Sequence, residues 1–201
     1  GIIGLGNIGK SFATRIKGFG PAKIIAYDPY IDRTTADLFG VELVDLDELL
    51  KTSDFITLHA PSTEETHHII NEDAFNKMKS NCILINCARG PLVDPSALFN
   101  ALKNNIIPGA GIDVTEKEPI SSEDPLLSLD NLIITPHTAG SSPVSREVGT
   151  RKQAENVIKI LKGEAPHGLA NPEVIKTIAL MRTKENNRWS DMDLFDTSLR
   201  V

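Results

Sequence analysis

Short runs of almost unbroken apolar residues alternate in this sequence with segments of helical spacing, and few folds accommodate that order. The apolar runs cover residues 1–3, 23–28, 41–44, 55–61, 82–88, 109–114 and 131–137. Apolar side chains follow one another in them instead of alternating with polar ones, so both faces of each strand must be covered. That is the pattern of a parallel sheet with helices on either side. Between the runs, Ile8, Phe12, Ile16 and Phe19 recur at helical spacing, and a polar helix over residues 32–39 stops at Gly40. Asp45 with Glu48 forms a capping box, Asn71 caps the helix that follows it, and Asp94 caps another with Pro95 at its first position. A long amphipathic helix is predicted over residues 144–161, closed by Gly163. The expected architecture is therefore α/β, a doubly wound parallel sheet over residues 1–163. Residues 164–201 follow as a turn-rich return segment and a polar tail.

With 201 residues, 40% of them hydrophobic, the chain can bury a core without disulfides or a structural metal. A net charge of -6 offers no basic face for nucleic acid. No apolar run approaches the roughly 20 residues of a membrane span, and no stretch reads as a secretion signal. Cys82 and Cys87 flank one strand run, point to opposite faces and cannot pair; they read as small buried thiols in a reducing compartment, so a cytoplasmic location is expected. The adjacent His67 and His68 should diverge on regular backbone, and His59 and His167 lack ligand spacing, so no metal is expected. The first strand begins abruptly at Gly1, which predicts a chain starting inside a longer polypeptide.

Gly4, Gly6 and Gly9 stand between the first strand and the first helix, and Asp28 ends the second strand. Gly4 permits a tight turn, Gly6 lets backbone approach a pyrophosphate, and Gly9 lets the helix sit close to the sheet. The free N–H groups at the helix start face the anion, and Asp28 can accept from ribose hydroxyls. The negative charge of Asp28 favours NAD over NADP, with Arg33 as the one nearby cation. A methyltransferase could use a similar loop and acid. His59, at the end of the fourth strand, either lines the cofactor groove or has a plain structural role. Asp113 either accepts from a nicotinamide amide or is a buried acid paired to backbone or arginine.

Arg89, Glu118 and His137 each lie just beyond a different predicted parallel strand, so they converge on one edge of the sheet. Together they suit reduction of a 2-keto acid. Arg89 would hold the carboxylate and polarise the ketone, His137 would donate a proton, and Glu118 would orient the imidazole and support its charge.

The segments GIIGLGNIG, AYDP, SDFITLHAPSTEETHHII, NCARGPLVD, GAGIDVTEKEP and NLIITPHTAG, in that order, resemble the NAD-binding domain of the D-isomer-specific 2-hydroxyacid dehydrogenases. The resemblance implies a Rossmann-like fold and NAD-dependent hydride transfer between a small 2-keto acid and a D-2-hydroxy acid. It implies catalytic roles for Arg89, Glu118 and His137, pyrophosphate-binding backbone at Asn7 and Ile8, the ribose contact at Asp28 and the nicotinamide-side contact at Asp113; Gly4, Gly6, Gly9, His59, Ala88 and Gly140 complete the expected cofactor-binding set. A homodimer is expected on the same basis, and most of the family's smaller substrate domain is absent from this sequence. A glutamate at position 118 separates the chain from the formate dehydrogenases, which carry glutamine there. The alternative is a nonenzymatic, NAD-responsive binding or corepressor-like protein, because such relatives can retain the three catalytic residue types.

Overall fold

The computed structural model describes residues 1–162 and 164–174. Gly163, expected to close the last helix, and residues 175–201 of the polar tail lie outside the described residues. Two compact units are distinguished, Gly1–Ala139 and a second that begins at Gly140.

All seven predicted strands form: β1 (Ile2–Ile3), β2 (Ile25–Tyr27), β3 (Glu42–Leu43), β4 (Phe55–Leu58), β5 (Ile83–Asn86), β6 (Gly109–Ile112) and β7 (Leu132–Ile134). They make one sheet of order β3-β2-β1-β4-β5-β6-β7, parallel at every pairing. The strand order reverses at β1, which pairs with β2 on one side and β4 on the other. This is the Rossmann-like, doubly wound arrangement, and its switch point opens a crevice at the carboxyl ends of the strands.

The helices are α1 (Asn7–Ile16), α2 (Arg33–Leu38), α3 (Leu46–Thr52), α4 (Glu72–Lys77), α5 (Pro95–Lys103) and α6 (Pro143–Leu161). Each of α2 to α5 starts where a side-chain oxygen takes an otherwise unpaired backbone N–H. Asp32 accepts from Thr35, Asp45 from Glu48, Asn71 from Ala74, and Asp94 from Ser96 and Ala97.

The winding shows in where β1 sends its two side chains. Ile2 enters a cluster with Ala13 of α1 and Ala36 of α2, whereas Ile3 enters the larger cluster with Leu49, Phe75 and Leu98 from α3, α4 and α5. Both isoleucines are 1% exposed, so the centre of the sheet is dry on both faces. Burial at roughly 25 cal/mol per Å² makes these two clusters the main term holding the strands in register.

Three expectations need correction. Coverage of both faces does not extend through β5 to β7, where burial alternates and Ile133 is 70% exposed. The first helix buries Gly9 and Ala13, while Ile8 and Phe19 at the ends of the predicted apolar stripe are 67% and 85% exposed. Helix α6 forms over the expected span, yet none of its residues is buried. Its middle turns, GTRKQAEN, carry no large apolar side chain, so its apolar residues cannot form one continuous stripe.

Candidate active site

The carboxyl ends of β1, β2 and β4 frame a groove of about 490 Å³ whose walls include Gly4, Asp28, Tyr30, Ala60 and Thr66. Gly4 adopts φ +92°, and a Cβ there would stand 2.5 Å from the Ala60 backbone nitrogen. Only glycine satisfies that turn. At Gly9 a Cβ would run into the Gly4 carbonyl oxygen, so the helix can approach the strand only without a side chain. Gly6 caps α1 through backbone alone and is exposed, as are Asn7 and Ile8, which leaves the first N–H groups of the helix free to meet an anion. Asp28 braces this turn: Leu5 N–H donates to its Oδ2 at 2.7 Å and Tyr30 N–H to its Oδ1 at 2.9 Å. Each oxygen retains a lone pair for a hydroxyl. A cavity of similar size, about 500 Å³, lies between Lys17 and Glu42 and touches none of the predicted site residues.

His59 follows β4, and its ring is turned to Phe12, 5.3 Å away between centroids, and to the Thr57 hydroxyl at 3.1 Å. Burial pushes its pKa below 6.5 and keeps the ring neutral at neutral pH.

Beyond β5 the chain turns through Cys87, Ala88 and Arg89. The turn is shaped by Asn86, 1% exposed, whose amide donates to the Arg89 carbonyl at 2.9 Å and accepts from the Ala88 N–H at 3.0 Å. The Arg89 guanidinium is exposed and donates to the Ala88 carbonyl at 2.6 Å. Cys87 is exposed, contrary to the expectation of two buried thiols, because it sits past the last strand residue on the open edge; Cys82 is buried and its thiol is pushed up to about 11 by burial.

Asp113 follows β6 and is 3% exposed. Its Oδ1 accepts from the Thr135 hydroxyl at 2.5 Å and the Thr138 N–H at 2.9 Å, and its Oδ2 from the Ala139 N–H at 2.8 Å. Burial alone would raise its pKa; these hydrogen bonds outweigh it and hold the carboxyl below its ordinary range. The loop after β7 carries His137 at φ +53°, with its N–H on the Asp113 carbonyl at 2.9 Å. His137 Nδ1 meets Glu118 Oε2 at 2.8 Å, and Glu118 Oε1 accepts from Thr115 N–H at 3.2 Å. The His137 bond first and the Thr115 bond second lower the Glu118 pKa. With Nδ1 engaged, Nε2 is the ring atom left to exchange a proton with a ligand. Glu118 and His137 are thus brought together from separate strand ends. Arg89 shares their edge of the sheet but forms no ion pair among the described residues. Gly140 is exposed and opens the second unit.

The profile described as "D-isomer specific 2-hydroxyacid dehydrogenase, NAD binding domain" matches residues 1–139. The chain belongs to this family. It is 47% identical over 176 residues to a glyoxylate reductase of Korarchaeum cryptofilum, covering 88% of this chain and 53% of that protein. It is 47% identical over 172 residues to a D-3-phosphoglycerate dehydrogenase of Methanocaldococcus jannaschii, covering 85% of this chain and 32% of the relative. Among solved structures, D-lactate dehydrogenase with NAD+ from Lactobacillus jensenii superposes with a TM-score of 0.76 at 31% identity, over 84% of this chain and 54% of that one. The TT0316 protein of Thermus thermophilus gives a TM-score of 0.77 at 36% identity, over 83% and 51%. The chain therefore spans about half the length of most of these relatives.

Two features of this family member escape a reading of its sequence. Asn86 and Thr135 are the polar residues that hold the Arg89 and His137 turns, and their only signal is a polar side chain at the end of an apolar run. His67 and His68 do not diverge: their rings stack 3.9 Å apart, because His68 takes a left-handed φ of 51°.

Proposed function

We propose that this chain forms the nucleotide-binding part of an NAD-dependent oxidoreductase that moves a hydride reversibly between NADH and a small 2-keto acid, giving a D-2-hydroxy acid. The observation that carries the reading is the 2.8 Å Glu118–His137 pair, set at the carboxyl edge of a sheet whose family is an NAD-binding domain. The turn from Gly4 to Gly9 suits a pyrophosphate, with Asn7 and Ile8 N–H groups as donors and Asp28 on the ribose. When bound, the reduced nicotinamide supplies the hydride. His137 Nε2 gives its proton to the ketone oxygen as that oxygen gains charge, and Glu118 holds the imidazole in place and offsets the positive charge it carries beforehand. Arg89, exposed at the same edge, suits the substrate carboxylate through its planar fork of donors. Ala88 and Gly140 are proposed cofactor neighbours on the same reading, and a homodimer in the cytoplasm is its expected setting.

The experiment has two parts. Fluorescence titration at fixed ionic strength should show tighter binding of NADH than of NADPH, because the 2'-phosphate would face Asp28; Asp28→Ala should relax the preference. Equal or stronger binding of NADPH would remove the cofactor assignment. The full-length gene product should then reduce one of a panel of 2-keto acids that includes glyoxylate, or oxidise D-3-phosphoglycerate, the acids that the relatives' names suggest. NADH binding without turnover of any of them would favour the nonenzymatic reading.

A further inference from the structure

Glu116 reaches from the loop after β6 to the stacked rings of His67 and His68. Its Oε1 lies 2.9 Å from His68 Nε2 and 3.6 Å from His67 Nε2. The first contact is a hydrogen bond, and the second is too long to be one. A second imidazole nitrogen is thus aimed at a carboxylate oxygen without a hydrogen bond to hold it there. The three donor atoms all lie within 4.8 Å of one another. Donors on a tetrahedral zinc, with bonds of about 2.0–2.1 Å, stand roughly 3.3 Å apart. The two separations from Glu116 fall on either side of that value, and the 4.8 Å bound on the whole set leaves about 1.5 Å at most to be closed by side-chain rotation.

The far side of His68 supplies an independent observation. Its Nδ1 faces Asp94 Oδ2 at 4.0 Å, while Asp94 Oδ1 is taken by the Ser96 and Ala97 N–H groups at the start of α5. That 4.0 Å separation is too long for a hydrogen bond, and Nε2 holds the proton it shares with Glu116; a cation that displaces this proton leaves Nδ1 to carry the ring N–H, with Asp94 the carboxylate nearest to receive it. His68 is further fixed by its own N–H, which donates to the Pro91 carbonyl at 2.8 Å.

We propose that His67, His68 and Glu116 form a binding site for a divalent transition-metal cation of the zinc type, with Asp94 as its outer carboxylate. Two imidazoles and one carboxylate suit zinc and its neighbours; magnesium and calcium take oxygen donors. The His67 side chain is 53% exposed and that of Glu116 37%, so water can complete the coordination. An ion here ties the segment carrying His67 and His68 to the loop that carries Glu118, two residues beyond Glu116. The site shares the loop after β6 with Glu118 and does not depend on the dehydrogenase reading.

The test is calorimetric titration of Zn2+ into the chelator-treated 201-residue chain, with Co2+ absorption as a second readout and circular dichroism to verify folding. One ion per chain at micromolar affinity is expected, with visible Co2+ bands and without a thiolate charge-transfer band. His68→Asn keeps a residue that tolerates positive φ but removes the imidazole; it and Glu116→Gln should each weaken binding by about tenfold or more. His67→Ala, at an exposed position, should do the same. Asp94→Asn preserves the helix cap and should weaken binding by less. Cys87→Ser and His137→Asn should leave the affinity unchanged. Binding no tighter than millimolar, binding that survives His68→Asn and Glu116→Gln, or binding abolished by Cys87→Ser would each overturn the proposal.

Discussion

Replacing Asp113 with alanine isolates what holds the His137 loop. The carboxylate accepts from the Thr135 hydroxyl and from the Thr138 and Ala139 N–H groups. All three donors lose their partner in Asp113→Ala, but Thr135, Thr138 and Ala139 are themselves exposed, so water can reach them. A value near the low end of the range for an orphaned donor, about 1 kcal/mol each, gives roughly 3 kcal/mol in all. For a unit of this size that corresponds to a fall in Tm of roughly 10 °C. The effect also has a pH signature. The folded-state pKa of Asp113 lies below its ordinary 3.8, so the part of its contribution that depends on its charge is present in full above that value and is lost as pH falls through the depressed one. Melting curves of both proteins should therefore be far apart at neutral pH and approach each other below pH 3.8. Thr135→Val should cost about 1 kcal/mol in the wild type and little in the Asp113→Ala background, because both changes remove the same bond. A Tm change under about 2 °C at neutral pH, or a gap that does not narrow in acid, would refute the reasoning.

Three other expectations follow from the same geometry. Gly4→Ala combines φ +92° with a Cβ 2.5 Å from the Ala60 nitrogen, so it should cost about 2–3 kcal/mol in denaturant melts and weaken NADH binding. Native alkylation followed by mass spectrometry should label Cys87 and spare Cys82, whose buried thiol is held at about 11; equal labelling would contradict the burial described above. In the full-length gene product, His137→Asn should leave NADH binding intact and lower kcat by on the order of 10²-fold, with Glu118→Gln milder. Unchanged turnover in the histidine variant would remove it from proton transfer.

The strand count and the sheet class were legible because burial on both faces leaves an unbroken apolar run, as at residues 2–3 and 25–26. Helix starts were legible for a chemical reason: Asp45, Asn71 and Asp94 have short oxygen-bearing side chains that can reach back to an N–H, and all three do so. What the periodicity could not supply is where the backbone leaves the ladder. The run over residues 82–88 looks like one strand, but the strand ends at Asn86, and the residues after it bend over the open edge. Cys87 sits on that bend and is exposed. Burial on β5 to β7 was overestimated for a related reason: an apolar run shows that a face can be covered, and only the tertiary structure decides whether it is.

At the site, the residues readable in advance were those whose position relative to a strand end decides their location. Glu118 and His137 are nineteen residues apart, yet they meet because β6 and β7 are adjacent and parallel, so loops leaving the same edge overlap. Strand order alone does not say which way a long side chain turns, and Arg89 folds back on the Ala88 carbonyl. The His67, His68 and Glu116 cluster lies further from sequence logic. Its members come from two loops, and the convergence of the two rings depends on a single dihedral, the φ of His68. Adjacent histidines diverge under any regular periodicity, so the same local rule that locates the sheet also conceals this cluster. Loops that break the period are where such arrangements arise, and here the break meets the loop after β6 that also carries Glu118.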